Sequence, residues 1–363
     1  MTTVSERDFI YTAQPSRVVF ARGSFGRLAS EIKLLGARRA LVLCTPQQVA
    51  QAEKASALLG PLSAGVYSGA EMHVPIESAR QAREHAREVG ADCAVAVGGG
   101  STIGLGKAIA LQSSLPIVAV PTTYAGSEMT PIYGITEAGE KKTGRDLRVL
   151  PRTVIYDPEL SSGLPVGMSV VSGINAIAHA AEGLYARDGN PVMSLMAEEG
   201  IRAMAVGLRK IARNPRDFAA RSDCLYGAWL CGSVLGHVGM ALHHKLCHTL
   251  GGSFNLPHAE THTIVLAHAL AYNSAAAPEA MERAARALGT SDAADGIFNL
   301  ASDLGAPTAL RDIGMKEADL GRACDIALSN PYWNPRPLER TALMDLLGDA
   351  WTGKRPSARV IAA

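Results

Sequence analysis

Histidines spaced one helical turn apart are the residues of this sequence best suited to chemistry. Asn175 lies four positions before His179, His244 lies four before His248, and His258 follows ten positions later. Residues four apart share a helix face, so each pair can point into one cleft. Imidazoles that converge in a cleft can hold a metal ion or act on a substrate oxygen. The amide of Asn175 bears on which of these two chemistries applies.

A run of glycines predicts a phosphate-binding loop in the first half of the chain. An apolar run continues into Gly98, Gly99, Gly100, Ser101 and Thr102, and then into a predicted helix. Glycines let the backbone approach a phosphate closely, while the serine and the helix N-terminus supply N–H donors. The pattern is neither GxGxxG nor a P-loop, so a plain strand-to-helix turn without a ligand remains the alternative.

A second polar loop, residues 121–128, follows the next predicted strand. It contains Thr122, Thr123, Gly126 and Ser127. Loops that follow adjacent strands of an open parallel sheet meet at its carboxyl edge, where ligands bind. The two loops together predict a site for the diphosphate or nicotinamide of a dinucleotide.

The elements that must position these residues divide the chain in two. Short β-branched runs at 18–20, 40–43, 65–67, 93–97, 116–120 and 153–156 predict strands, and residues 76–89 have helical spacing. This alternation is typical of a parallel sheet with covering helices, whereas the rest of the chain has helical periodicity. We expect an α/β N-terminal dinucleotide-binding domain over residues 1–158 plus an all-α C-terminal catalytic domain over residues 159–363.

Composition excludes several classes of partner. A formal net charge of +1 with interspersed signs leaves no basic stripe for nucleic acid and no polybasic membrane patch. No apolar run reaches roughly 18 residues and no signal-peptide core begins the chain, so we expect no membrane contact and a cytoplasmic location. The six cysteines form no CxxC pair, which is typical of reduced, buried thiols. A small molecule is the favoured partner.

Together the motifs resemble the iron-containing alcohol dehydrogenase family, which includes the maleylacetate reductases. The matching segments follow family order: 98–101 with Lys107, 121–128, 157–160, 172–179 with Glu182, and 244–258. The resemblance implies a dehydroquinate synthase-like fold, NADH or NADPH as cofactor, an active site between the two domains, and a homodimer.

The resemblance also bears on metal binding. In metal-dependent relatives an Asp and three His bind Fe²⁺ or Zn²⁺, and the matching positions here are Asn175, His179, His244 and His258. A carboxylate about 4 Å from a unit charge gains on the order of 4 kcal/mol at an effective dielectric of 20, and an amide gains much less. Three imidazoles and an amide can still bind Zn²⁺, so we expect weakened metal affinity and no required metal.

Two further departures, Gly104 where Asp is usual and Ala259 where Gly follows the last histidine, resemble the maleylacetate reductase branch. Members of that branch are described as needing no metal. The expected reaction is reduction of maleylacetate, a dicarboxylate, to 3-oxoadipate in aromatic-compound catabolism. The alternatives are a metal-dependent alcohol dehydrogenase or aldehyde reductase, a lyase on the same fold, and a non-catalytic nucleotide-binding module.

The expected reaction assigns roles to the cleft residues. Hydride addition to the conjugated double bond produces an enolate, which His179, His244 and His248 stabilise as donors, with one of them passing on the proton. His248 matches a family histidine near the cofactor and substrate. We expect Lys107 to face the dianionic substrate or the cofactor, and Tyr124 to line the cleft.

Thr45 bears on the choice of coenzyme. It ends the second predicted strand, where NAD-specific relatives commonly carry an Asp that repels a 2′-phosphate. Threonine does not repel it, so we expect NADH with NADPH tolerated. We expect structural or supporting roles for four further histidines, His237, His243, His262 and His268. Lys245 and Arg336 are further cations that could pair with the dianionic substrate, but we expect surface positions for both.

Overall fold

The computed structural model describes residues 9–14, 16–137 and 140–356. Its strands are β1 (Arg17–Phe20), β2 (Ala40–Leu43), β3 (Ser63–Tyr67), β4 (Cys93–Gly98), β5 (Ile117–Pro121), β6 (Ile132–Glu137), β7 (Glu140–Arg145) and β8 (Thr153–Tyr156). Six of them form a parallel sheet in the order β1-β8-β5-β4-β2-β3. The six predicted strands are confirmed. The antiparallel pair β6–β7 was not predicted.

In the described ranges, four helices cover the sheet and nine follow it in the second half of the chain. The first four are α1 (Leu28–Leu34), α2 (Val49–Leu59), α3 (Ile76–Glu88) and α4 (Gly100–Ser113). The others are α5 (Val166–Gly183), α6 (Pro191–Arg213), α7 (Phe218–His237), α8 (Leu242–Phe254), α9 (His258–Asn273), α10 (Pro278–Leu288), α11 (Ala293–Asp303), α12 (Leu320–Ser329) and α13 (Arg340–Thr352). No strand occurs after residue 158 in the part that the structure describes, as the helical periodicity predicts. The proposed domain boundary lies between β8 and α5.

Alternation along the central strands explains why the sheet is covered on both faces. In β4, Val95 and Val97 pack with α1 and α2 on one face, while Ala94 packs with α3 and α4 on the other. Ala96 joins a larger core that continues into α5, α6 and α7. Strands buried on both faces lose their alternating polar pattern, which is why β4 reads as one apolar run. The sheet is therefore continuous with the helical half through this core.

The loop after β5 joins the two halves by close backbone contact. A Cβ built on Gly232 of α7 would lie 2.6 Å from the Gly126 carbonyl oxygen, and one on Gly236 would lie 2.6 Å from the Met129 carbonyl oxygen. Real Cβ atoms do not approach so closely, so only glycine fits at these two helix positions. Residues 121–130, hereafter the 121–130 loop, therefore lie directly on α7.

Asp157 anchors the segment that leaves the sheet. Its carboxylate accepts hydrogen bonds from the backbone N–H groups of Gly23 (3.1 Å), Phe25 (3.0 Å) and Glu159 (3.0 Å). Buried backbone donors need such partners. The bonds fix the start of the connection to α5 against the end of β1.

Among the described residues, no single helix has the length and hydropathy to cross a bilayer, although α7 and α8 meet those criteria as a pair bent by 95°. All six cysteines are free and buried, as predicted.

Gly232→Ala is expected to lower the free energy of unfolding by about 1–3 kcal/mol, because the new methyl group must displace the Gly126 carbonyl. Urea unfolding measures the change. Gly167→Ala is the matched control, because Gly167 lies in α5, is exposed, and has nothing within 4 Å of a built Cβ. We expect that control to be neutral or slightly stabilising. Equal stability of the two variants would contradict the close contact.

Candidate active site

The carboxyl edge of the sheet carries a turn that only glycine can form. Gly98 has φ 156°, and a Cβ built there would lie 2.4 Å from the Thr102 hydroxyl. A Cβ on Gly99 would lie 2.9 Å from the Thr123 side chain. Thr102 was predicted to face a ligand. Its side chain is instead buried beneath the turn and supports the loop.

The start of α4 is open to a ligand. Gly99, Gly100 and Ser101 keep part of their surface exposed, and a Cβ on Gly100 would have its nearest neighbour at 3.9 Å. Backbone N–H groups at a helix N-terminus bind phosphate without further charges. These residues fit the diphosphate of a dinucleotide.

A chain of polar side chains links the loops after β2 and β5. The Thr45 hydroxyl donates to Gln48 Oε1 (3.3 Å), and Gln48 Nε2 donates to the Thr122 hydroxyl (2.9 Å). The structure therefore links Thr45 to Thr122 through Gln48, a residue that the sequence analysis missed. Gln48 follows Thr45 by about one helical turn in the loop after β2, and this position at the carboxyl edge of the sheet could have indicated its role.

Lys107 has a structural role in place of the predicted contact with substrate or cofactor. It is fully buried, and its Nζ lies within hydrogen-bond distance of the carbonyls of Ser127 (2.6 Å), Thr130 (2.8 Å) and Ile132 (2.7 Å), and of the Thr130 hydroxyl (2.9 Å). Burial lowers the pKa of Lys107 to about 7. Three carbonyls occupy its three donors, so the side chain holds the 121–130 loop. Ser127 contributes a carbonyl to this contact, and its side chain is partly exposed.

Tyr124 also lies outside the cleft, contrary to the prediction. Its ring is fully buried, its hydroxyl accepts a hydrogen bond from Arg221 (3.1 Å), and its backbone N–H donates to the Ser172 hydroxyl (2.9 Å). Burial raises the pKa of Tyr124 to about 12. The side chain therefore anchors the 121–130 loop in the core beside α5 and α7.

Glu182 connects α5 to the N-terminus of α8. Its carboxylate accepts hydrogen bonds from the backbone N–H groups of Ala241 (2.8 Å) and His243 (2.7 Å), and from Nδ1 of His244 (2.7 Å). All of these partners are buried. An anion at a helix N-terminus is favoured by the helix dipole. The third bond directs Nε2 of His244 toward the cleft.

The histidine rings form a row from the 121–130 loop to the mouth of the cleft. At the inner end, Nδ1 of His179 lies 3.4 Å from a Cβ built on Gly126. The ring centroids are separated by 5.2 Å between His179 and His244, and by 6.0 Å between His244 and His248. His248 is exposed and hydrogen-bonds through Nδ1 to the Tyr332 hydroxyl (3.0 Å). We call His179, His244 and His248 the histidine row.

Other histidines lie behind the row. His243 and His262 are fully buried and hydrogen-bond to each other through Nε2 and Nδ1 (2.9 Å), and the Cys247 thiol lies 3.7 Å from Nε2 of His243. The ring of His258 is tilted by 57° relative to that of His262, and the ring centroids are 4.3 Å apart. His262 therefore lies beside the predicted site residue His258 and supports the row from within.

Burial controls the charge of these rings. It lowers the pKa of His179, His243 and His262 well below 6.5, and the neighbouring imidazoles lower it further. Desolvation disfavours a charged imidazole, and a second positive charge nearby adds repulsion. His179, His243 and His262 are therefore neutral at physiological pH.

Asn175 completes the inner end of the site. It lies in α5 one turn before His179 and is 4% exposed. Within the described residues, its Oδ1 has no hydrogen-bond partner, and neither have Nδ1 of His179 and Nε2 of His244. An amide carries two N–H donors where a carboxylate carries none. The amide N–H groups can face an anionic oxygen, whereas Oδ1 and the unpaired ring nitrogens can also act as ligands of a metal ion, so the set allows either chemistry.

A second group of potential metal ligands lies behind the histidine row, among the His, Cys, Asp and Glu side chains of the described ranges. It consists of His243, Cys247 and His262, whose ligand atoms all lie within 4.8 Å of one another. They differ from the set that the family resemblance implies. Burial raises the pKa of the Cys247 thiol well above its ordinary value, so it is protonated and poorly suited to bind a metal.

Comparisons with known proteins place the chain among dehydrogenases and reductases. It is 63% identical over 349 residues to the maleylacetate reductase of Burkholderia cepacia, covering 96% of this chain and 99% of that protein. The crystal structure of maleylacetate reductase from Agrobacterium tumefaciens has 54% identity and a TM-score of 0.94, covering 97% and 100% of the two chains. A putative alcohol dehydrogenase from Ralstonia eutropha JMP134 has 70% identity and a TM-score of 0.96, with the same coverage.

Two family models match the chain in sequence order. The model for iron-containing alcohol dehydrogenase matches residues 15–158, and the model for the C-terminal part of the Fe-containing alcohol dehydrogenase family matches residues 169–351. The two matches span both halves of the fold and all residues of the histidine row. The chain therefore belongs to the iron-containing alcohol dehydrogenase family.

Proposed function

We propose that this protein is a maleylacetate reductase, which reduces maleylacetate to 3-oxoadipate in the catabolism of aromatic compounds. The observation that carries the proposal is the 63% identity to a maleylacetate reductase along nearly the whole length of both chains. The neutral donor set around Asn175 gives that identity a chemical basis.

The cofactor is NADH, with NADPH tolerated. Gly99, Gly100 and Ser101 would hold the diphosphate at the start of α4, and Thr45 and Gln48 would face the adenosine ribose. Thr123 and Ser127 line the part of the 121–130 loop that leads to His179. When bound, the reduced nicotinamide supplies a hydride.

The substrate's own conjugation makes the reaction accessible to hydrogen-bond donors. Maleylacetate is a 4-oxo-2-enedioate, and C2 is the carbon β to its ketone. Hydride addition at C2 moves the double-bond electrons toward C3 and places negative charge on the C4 oxygen. Protonation of this enolate at C3 gives 3-oxoadipate. The residues of the site must therefore stabilise one oxyanion and deliver one proton.

We assign different tasks to the three members of the row. His244 donates from Nε2 only as an imidazolium, because Nδ1 is bonded to Glu182, whose charge balances that state. His179 stays neutral and can donate from one nitrogen. Asn175 can turn its amide N–H groups toward the same oxygen. His248 is exposed and connects the row to water, so it is suited to resupply the proton.

Catalysis by this donor set needs no metal ion. A conjugated acceptor delocalises the incoming charge onto the ketone oxygen, whereas an isolated carbonyl gains more from a Lewis acid. The competing function is a metal-dependent alcohol dehydrogenase, which the three histidines at His179, His244 and His258 allow.

Removal of metal is expected to leave turnover unchanged. The enzyme is treated with a chelator, its iron and zinc contents are measured, and NADH oxidation is followed with maleylacetate. We expect the full kcat at negligible metal content. Activity that is lost and then restored by Fe²⁺ or Zn²⁺ would identify the metal-dependent function, and no activity under either condition would overturn the reductase assignment.

Asn175→Asp is expected to lower the metal-free kcat by about 100-fold, because it replaces an N–H donor by a carboxylate beside a developing oxyanion. The same change should increase Zn²⁺ affinity in calorimetry by supplying the missing negative ligand. An unchanged kcat without metal would show that the amide does not contact the oxyanion. Asn214→Asp, at the exposed end of α6, is the control.

Thr45→Asp is expected to remove most NADPH activity and to preserve NADH activity, because a carboxylate there repels the 2′-phosphate. The ratio of kcat/KM for the two coenzymes measures the effect. Equal NADPH activity in variant and wild type would place the ribose elsewhere.

We further propose a cytoplasmic location and a homodimeric state. Six free, buried cysteines are suited to a reducing compartment. The homodimer follows from family membership, and its test is the mass in solution.

A further inference from the structure

The outer end of the histidine row carries a cation and a phenol. Lys245 lies on α8 between His244 and His248, and its Nζ is 5.7 Å from the ring centroid of Tyr332. The Tyr332 hydroxyl is 3.0 Å from Nδ1 of His248. Lys245 is partly buried, and it has no ion pair within the described ranges. The ammonium group is therefore placed beside the cleft without an anionic partner.

The loop that carries Tyr332 is held rigidly against α9. The amides of Asn334 and Asn273 exchange two hydrogen bonds, at 2.9 Å and 2.7 Å. Arg336 donates to the Tyr272 carbonyl (3.1 Å) and lies 4.2 Å from the Tyr272 ring centroid. Arg336 is 7% exposed, which corrects its predicted surface position. Tyr332 is therefore positioned before any ligand binds.

The proposed substrate carries two carboxylates that need cationic partners. At the inner end of the site, Nδ1 of His244 is bonded to Glu182, and Nζ of Lys107 is bonded to three backbone carbonyls. Lys245 supplies the cation next to the row. A charge-assisted hydrogen bond from an ammonium group is the usual partner of a carboxylate.

The direction of the row distinguishes the two carboxylates. His179 lies at the 121–130 loop, on the cofactor side, and Tyr332 lies at the opposite end, with its ring centroid 6.1 Å from that of His248. The carbon that accepts hydride, C2, must lie at the cofactor side. The C1 carboxylate is attached to that carbon, whereas the C6 carboxylate lies beyond the ketone. The C6 carboxylate therefore extends toward Lys245 and Tyr332.

We propose that Nζ of Lys245 and the hydroxyl of Tyr332 bind the ketone-side carboxylate of the substrate. This assignment rests on the proposed function. It makes the pair a specificity site that selects conjugated keto acids with a second carboxylate over those with one. In the same contact, His248 donates to Tyr332 and orients its hydroxyl toward the carboxylate.

Lys245→Met tests the site with two substrates. Maleylacetate carries the ketone-side carboxylate, and 4-oxopent-2-enoate has a methyl group in place of that carboxymethyl group. We expect the variant to raise the KM for maleylacetate about 10- to 100-fold, with a smaller change in kcat, and to leave kcat/KM for 4-oxopent-2-enoate unchanged. Where turnover of the analogue is slow, its competitive inhibition constant replaces kcat/KM.

Three matched variants complete the experiment. Lys245→Arg should restore most of the maleylacetate affinity, and Tyr332→Phe should raise the KM about 3- to 10-fold through loss of one hydrogen bond. Lys54→Met, at an exposed position of α2, should change nothing. Melting temperatures establish that each variant is folded.

The outcomes separate the two proposals. A wild-type enzyme that does not reduce maleylacetate overturns the proposed function. If the wild-type enzyme reduces maleylacetate and Lys245→Met leaves its KM unchanged, the carboxylate site alone is overturned. Equal losses on both substrates also overturn it, because they would place Lys245 at the C1 carboxylate or in a purely structural role.

Discussion

Glu182 places a carboxylate in the interior, where an ionised group without donors would cost several kcal/mol of stability. Three N–H groups from Ala241, His243 and His244 meet it at the start of α8. The helix dipole adds to this stabilisation. The carboxylate can be buried only when α5 and α8 meet in this arrangement, and the same arrangement places His244 beside His179. The fold and the active site therefore depend on one set of hydrogen bonds.

The bond from Glu182 also determines what the site can do. Because Nδ1 of His244 is bonded to Glu182, its Nε2 is the ring nitrogen left for the proposed substrate. His179, which has no such carboxylate, stays neutral. Asn175 adds an amide where an anionic ligand would favour a metal ion. The result is a site in which His244, hydrogen-bonded to Glu182, lies beside a neutral imidazole and an amide. We propose that this set suits a delocalised enolate, whose charge is smaller at each atom than that of an alkoxide.

Local patterns predicted those parts of the molecule that local interactions determine. The six parallel strands, the glycine turn at Gly98 and the pairs His179 with Asn175 and His244 with His248 all follow from periodicity or from spacing within one element. Side chains that reach other elements could not be placed in this way. Lys107 and Tyr124 belong to motifs near the cofactor, yet both turn into the protein to hold the 121–130 loop. Tyr332 meets His248 across 84 positions of sequence, and no pattern links them. The β6–β7 pair was missed because β7 is polar and its sequence, EKKTGR, lacks an apolar face.

The position of the ring proton on His244 in the resting, metal-free enzyme is the most direct test of whether Glu182 orients this histidine. Uniform ¹⁵N labelling of histidine, with the His244→Asn variant for assignment, allows two-bond proton–nitrogen correlations to report which ring nitrogens carry a proton. We expect a proton on Nδ1, held by the carboxylate of Glu182. A neutral ring protonated at Nε2 with a bare Nδ1 would contradict it, because Glu182 would then lack its third donor and His244 its fixed orientation.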